Sequence, residues 1–215
     1  MNRFFYPDHS ATSELLSDLA FTLSRRGLEV AVITSRLRYD EPDRLLPPHE
    51  SIDGVEVWRT WTTRQGRQLL LGRLLDYASF YLAAGWRLWR VTRRGNVVVS
   101  KTDPPLLSVV AACITWLRGA KLINWHQDIF PELAEALDFG GPIGRAGFAL
   151  LRLPRNWSLR RARFNVVVGN TMAERMRQFG VPAESIRQIS NWADGERIRP
   201  IDPCQNSLRF PWLGC

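Results

Sequence analysis

The chain has 215 residues, of which 45% are hydrophobic, 23% charged and 11% aromatic, a globular composition that excludes disordered, collagen-like and low-complexity classes. That length allows one well-buried core and leaves no room for a two-domain enzyme of ordinary size. Twenty-nine basic residues against 21 acidic ones give a formal charge of +8, which favours phosphates, nucleic acid or anionic lipid without choosing among them; all but Lys101 and Lys121 are arginine, a skew that a GC-rich genome produces by itself.

Along the chain, only Met1 to Phe5 precede the first helix, so the opening strand of an alternating fold reads as clipped. Thr12 or Ser13 can cap a helix that runs to Arg26, with Leu15, Leu16, Leu19, Ala20 and Leu23 on one face and Gly27 as its stop. LEVAVIT at 28–34 is a β-branched strand, and Val55 to Trp61 is another, introduced by the turn residues Asp53 and Gly54. Between Leu69 and Val91 lies a long apolar stretch interrupted by Arg73, Asp76, Arg87 and Arg90. Its unbroken part, Tyr77 to Trp86, is about half the ~20 residues needed to span a membrane. The charged residues fall on one helical stripe with Phe80, Ala83 and Arg94, so the rest of this helix is expected to be buried. Short apolar strands follow at 96–100 (NVVVS), 121–125 (KLINW), 164–168 (FNVVV) and 185–190 (SIRQIS), with helices at 106–117 and 171–179 between them. Near-continuously apolar strands alternating with helices predict an α/β domain with a doubly wound parallel sheet, Rossmann-like.

Cys113, Cys204 and Cys215 have neither disulfide nor metal spacing, as in a reducing compartment, and no secretory leader pattern opens the chain. A cytoplasmic location is expected. Residues 201–215 show neither helical nor strand period.

In an open parallel sheet, ligands bind beyond the carboxyl ends of the strands. The loop after the clipped strand, Tyr6 to Ser13, leads small and polar residues into a helix N-terminus; it suits a phosphate, and equally an ordinary capping turn. Neither a G-x-G-x-x-G nor a Walker motif is present, which counts against nicotinamide or P-loop chemistry. Lys101 and Thr102 precede Pro104 and Pro105 and can touch a substrate, although the prolines alone account for the strand's stop. NWHQDIFPE at 124–132 packs ionisable groups directly behind an apolar strand; Asp128 or His126 can accept or orient a hydroxyl proton, while Glu132 also suits the first turn of a helix. Asn191 and Asp194 lie behind the last strand, where turn geometry explains them as well. Arg145 to Arg163 is the most basic segment, readable as an anionic membrane contact or as a solvated helix face.

Taken together, RFFYPDHSATS at 3–13, AVITSR at 31–36, KTDPPLLS at 101–108, NWHQDIFPE at 124–132 and QISNWAD at 188–194 resemble the N-terminal domain of family 4 glycosyltransferases of the GT-B fold, most nearly the colanic-acid and capsular-polysaccharide type. The resemblance implies an N-terminal, acceptor-side domain over residues 1–200, followed by an irregular tail that starts an inter-domain linker. It implies retaining transfer of a hexosyl unit from a nucleotide sugar to a lipid-linked saccharide at the inner face of the membrane. It assigns Ser10, Ala11 and Thr12 to the donor diphosphate, Asp128 with His126 to the catalytic position, Lys101, Thr102 and Glu132 to the acceptor, and Asn191 and Asp194 to the crossing between domains. No metal ion or other cofactor is implied, because cationic side chains and helix dipoles can neutralise a leaving diphosphate. The second domain of such enzymes, which holds most of the nucleotide sugar, has no counterpart in 215 residues, so the chain is expected to be a fragment inactive by itself. The alternative is a basic membrane-surface or nucleic-acid-binding module without catalysis; aromatics scattered through core-like runs and the lack of a recognition motif weigh against nucleic acid.

Overall fold

A computed structural model describes residues 1–39, 44–65, 70–132, 141–193 and 195. In chain order the elements are α1 (Ala11–Arg25), β1 (Val30–Ser35), β2 (His49–Ile52), β3 (Val55–Thr60), α2 (Leu70–Val91), β4 (Val97–Ser100), α3 (Leu107–Arg118), β5 (Lys121–Trp125), α4 (Gly141–Arg161), β6 (Phe164–Val167), α5 (Asn170–Gln178) and β7 (Ile186–Gln188). One set of strands runs β2-β3-β1 and the other β4-β5-β6-β7, and every pairing except β2 with β3 is parallel.

Residues 1–5 join the two sets. Asn2 N–H donates to the Ile33 carbonyl (3.3 Å) and Ser35 N–H to the Arg3 carbonyl (3.0 Å) on one side. On the other, Lys101 N–H donates to the Met1 carbonyl (3.1 Å) and Arg3 N–H to the Asp103 carbonyl (2.8 Å). The short segment thus stands between β1 and β4, where the sequence places its clipped first strand, and the whole forms the Rossmann-like sheet. Phe5, Leu16, Ala20, Val32, Val55 and Val57 close the core under α1. Phe80, Ala84, Leu88, Val98, Ala111 and Leu122 close the one under α2 and α3. Apolar strands covered in this way need no polar alternation, which is why VVVS and VAVITS read as continuous runs.

Three expectations change. The N-cap of α1 is Ser10, not Thr12 or Ser13, because the Ser13 hydroxyl instead donates to the Asp8 carbonyl (3.0 Å). Asp53 and Gly54, both at positive φ (49° and 76°), form a hairpin turn, and His49–Ile52 is an antiparallel edge strand before it. Its sequence, HESI, lacks the apolar signal of a strand; cross-strand pairs hold it instead, with His49 stacked on Trp58 (3.6 Å) and buried Arg59 paired with Glu50.

The third change concerns α2. The helix turns Asp76, Phe80, Ala84 and Leu88 inward, so the stripe expected to face water is in part the core face. Asp76 tolerates this because Thr63 Oγ1 (2.7 Å) and Gln65 N–H (3.1 Å) donate to its Oδ1 and Arg3 lies 3.9 Å from its Oδ2. Gly85 faces α3 so closely that an added Cβ would sit 3.1 Å from Val110 Cγ1. The apolar remainder, Leu71, Leu74, Leu75, Leu82, Trp86 and Trp89, is exposed rather than buried.

Candidate functional site

The loops after β4 and β5 meet in a cleft at the carboxyl end of the sheet, lined among others by Lys101, Thr102, Ser108, His126, Asp128 and Arg155. Its floor is a polar network inside an apolar sheet. Asn124 and Asn165 are partners in the β5–β6 register, and both are fully buried. Asn165 Nδ2 donates to the Leu159 carbonyl (2.9 Å), while its Oδ1 accepts from Asn124 Nδ2 (3.1 Å) and faces His126 Nε2 at 3.4 Å. With Oδ1 an acceptor, the imidazole carries its proton on Nε2 and presents a bare Nδ1 lone pair.

Burial, opposed by the Asn165 contact and assisted by the nearby Arg155 charge, brings the His126 pKa down to about 4. At neutral pH His126 is therefore an uncharged ring. Asp128, by contrast, is exposed at the cleft mouth, so a solvated carboxylate and a neutral imidazole share one wall. Such a pair can accept a hydrogen bond from a hydroxyl and take up its proton.

Lys101 is 1% exposed and aims its Nζ at the Thr12 carbonyl (3.0 Å), above the Trp125 ring at 4.0 Å. Burial lowers its pKa to about 8, with Asp103 pulling the other way. The side chain ties the loop after β4 to the first turn of α1. Because the folded amine releases its proton near pH 8 and the unfolded one at its ordinary 10.5, the unfolded chain binds more protons in between, and stability rises with pH across that window. Lys101→Met is expected to remove about 3 kcal/mol of that rise. Denaturation midpoints of both proteins at pH 7 and pH 10 measure it; parallel pH curves would contradict the assignment.

Ser10 N–H donates to Asp8 Oδ1 (2.9 Å), and Tyr39 N–H donates to Asp8 Oδ2. No side chain caps α1, and the Ser10 hydroxyl is buried without a hydrogen-bond partner among the described residues. Ala11 and Thr12 follow in the first turn, next to Lys101. Glu132 points to Arg155 Nη2 (2.6 Å) and Arg152 Nε (3.5 Å), so its charge is met by cations. Arg155 is itself buried and stacks its guanidinium on Phe179 at 3.9 Å. Thr102 lines the cleft. Asn191 Nδ2 donates to Gln127 Oε1 (3.0 Å), and Trp192 stacks on Trp125 (5.5 Å) while its indole N–H reaches Asp18 (3.2 Å), folding this segment back over the site. Asp194 lies outside the described residues.

The structure thus gathers Lys101, Thr102, His126 and Asp128 around one cleft, with Glu132 attached through Arg155, Thr12 through Lys101 and Asn191 through Gln127. Arg155 and Asn165 belong to the same assembly and escape a search confined to loops. The available signal was an asparagine inside each of two apolar strands, KLINW and FNVV.

The sequence matches the family described as "Glycosyl transferase 4-like domain" over residues 12–192. The chain belongs to this family. As a glycosyl transferase 4-like domain it also resembles the probable glycosyltransferase WbjE of Pseudomonas aeruginosa, with 29% identity over 140 residues. That similarity covers 64% of the chain and 34% of the relative, so the chain spans about a third of that protein's length. The matched residues take in α1 from Thr12 onward as well as both cleft loops, which makes the cleft the part of this glycosyl transferase 4-like domain to examine for glycosyl transfer.

Proposed function

We propose that residues 1–200 form the acceptor side of a retaining hexosyltransferase, acting on a nucleotide sugar and a lipid-linked saccharide in cell-surface polysaccharide synthesis. The observation that carries this reading is that neutral His126 and exposed Asp128 line one cleft of a glycosyl transferase 4-like domain. In the proposed step Asp128 accepts the proton of the attacking hydroxyl. The new bond to the anomeric carbon forms on the same face from which the diphosphate departs, so that configuration is retained, and the nucleoside diphosphate leaves with the electron pair of the broken C–O bond. His126 Nδ1 orients the hydroxyl. Thr102 and Glu132 contact the acceptor, Lys101 sets the loop that carries Thr102, and the Ser10 hydroxyl with the N–H groups of Ala11 and Thr12 faces the diphosphate, where a helix N-terminus favours an anion. Asn191 and Asp194 stand at the crossing to a donor-binding domain, and no metal ion takes part.

The test supplies radiolabelled nucleotide sugars and a lipid-linked saccharide to the chain, with and without a donor-binding domain. Transfer is expected only with both halves, and Asp128→Asn is expected to lower kcat by ~10² or more while leaving the acceptor KM within a few fold. An undiminished rate in the variant removes Asp128 from the reaction. Turnover by the 215-residue chain alone removes the need for a second half.

A further inference from the structure

The outward face of α2 is an anomaly on the surface of the described residues. A helix of a water-facing domain normally turns its polar side out, yet α2 exposes Leu71, Leu74, Leu75, Leu82, Trp86 and Trp89, with Leu82 77% and Leu71 71% exposed. Their spacing of three, four or seven residues puts them along one side of a 22-residue helix about 33 Å long. The apolar surface continues onto α3, which packs beside α2 and exposes Trp116 and Leu117 at its C-terminal end.

The charges around this face are mostly cationic: Asp76 of α2 turns inward, and Glu184, beside Trp116 and Arg161, is outnumbered there by Lys121, Arg163 and Arg187. Between Tyr77 and Gln127 the sequence has a single carboxylate, Asp103, which belongs to the loop after β4 at the cleft end. Three cations beside this face sit on its tryptophans. Arg90 lies over Trp86 (5.8 Å) and Arg118 over Trp89 (5.0 Å), while Arg161 of α4 lies over Trp116 (5.6 Å). Each pair offers an aromatic ring with a guanidinium over it, the combination suited to the boundary between acyl chains and phosphate headgroups. No helix among the described residues is long and apolar enough to cross a membrane. A leucine stripe flanked by Trp–Arg pairs therefore fits a helix lying in the plane of the interface.

We propose that the outer face of α2, extended by Trp116 and Arg161, docks on an anionic lipid bilayer. The basic α4 segment then contributes only its exposed end, since Arg155 points inward to Glu132. The inference does not rest on the transfer chemistry, and vesicle binding reads it without a sugar.

Flotation of the full chain with phosphatidylcholine vesicles, with and without phosphatidylglycerol, tests it. The native chain should float with the anionic vesicles. Leu74→Glu/Leu82→Glu/Trp86→Glu, all at exposed positions, should lower that binding about tenfold or more. Arg90→Glu/Arg161→Glu should weaken binding to anionic vesicles selectively, and added salt should do the same. Brominated acyl chains should quench the fluorescence of the native chain more than that of Trp86→Phe/Trp89→Phe, a readout that survives if the triple variant fails to fold. Failure of the native chain to bind, or equal binding by the leucine variant, overturns the proposal. A concentration-dependent dimer that the triple variant abolishes, seen without vesicle binding, overturns it in favour of a second copy of the chain.

Discussion

Asn165→Ala is expected to destabilise the domain by about 3–5 kcal/mol, more than any other single truncation at the floor of the cleft. The residue is fully buried in β6, and three groups depend on it: the Leu159 carbonyl, the Asn124 amide and the His126 ring N–H. Alanine removes all three contacts together; Asn124 Nδ2 keeps only longer contacts to Ser158 (3.4 and 3.5 Å), and a single water entering the gap replaces only part of the set. Each orphaned group costs about 1–3 kcal/mol, and the costs overlap because the three relax together. Asn165→Asp keeps the acceptor for His126 and Asn124 but loses the donor to Leu159 and buries a charge, so it should be no milder. Urea midpoints of the two variants and the native chain decide the matter; a loss below ~1 kcal/mol for alanine would mean that the network does not hold the β5–β6 pair together.

The same network shows why part of this protein was readable in the chain and part was not. The strands at 97–100 and 121–125 announce themselves because burial on both faces selects unbroken apolar runs. The cleft residues Lys101, Thr102, His126 and Asp128 follow once those strands are placed, since loops at strand ends carry sites. Asn165 and Arg155 are invisible to that rule because one sits inside a strand and the other inside a helix. Their polarity is satisfied by partners 41 and 23 residues away, Asn124 and Glu132. The rotation of α2 was hidden for a related reason. Helical periodicity says which residues share a face, while which face turns inward depends on Thr63 and Arg3 meeting Asp76 and on Gly85 fitting α3. Edge strand β2 escaped because ladder bonds and side-chain pairs, not apolar burial, stabilise HESI.

Arg155→Met is expected to cost about 3–5 kcal/mol, and the reason is its partner more than itself. Glu132, with 18% of its side chain exposed, faces Arg155 at 2.6 Å; methionine keeps much of the volume against Phe179 and leaves that carboxylate short of its nearest cation. Arg152 at 3.5 Å from Glu132 softens the loss without cancelling it. Adding Glu132→Gln to Arg155→Met should therefore restore part of the stability, and a double-mutant cycle should give a coupling of about 1–3 kcal/mol. Additive costs would show that the two side chains act independently. A second readout separates charge from packing. Burial first and the Arg155 charge after it hold the His126 pKa near 4, so removing the guanidinium should move the ring's titration upward, and Arg155→Lys, which keeps the charge, should raise it less than Arg155→Met does. The direction matters for stability as well. The unfolded ring binds its proton near its ordinary 6.5 and the folded ring only near 4, so the native domain loses stability as pH falls from 6.5 to 4. That acid loss should shrink in Arg155→Met, because the two pKa values draw closer when the guanidinium no longer faces the imidazole.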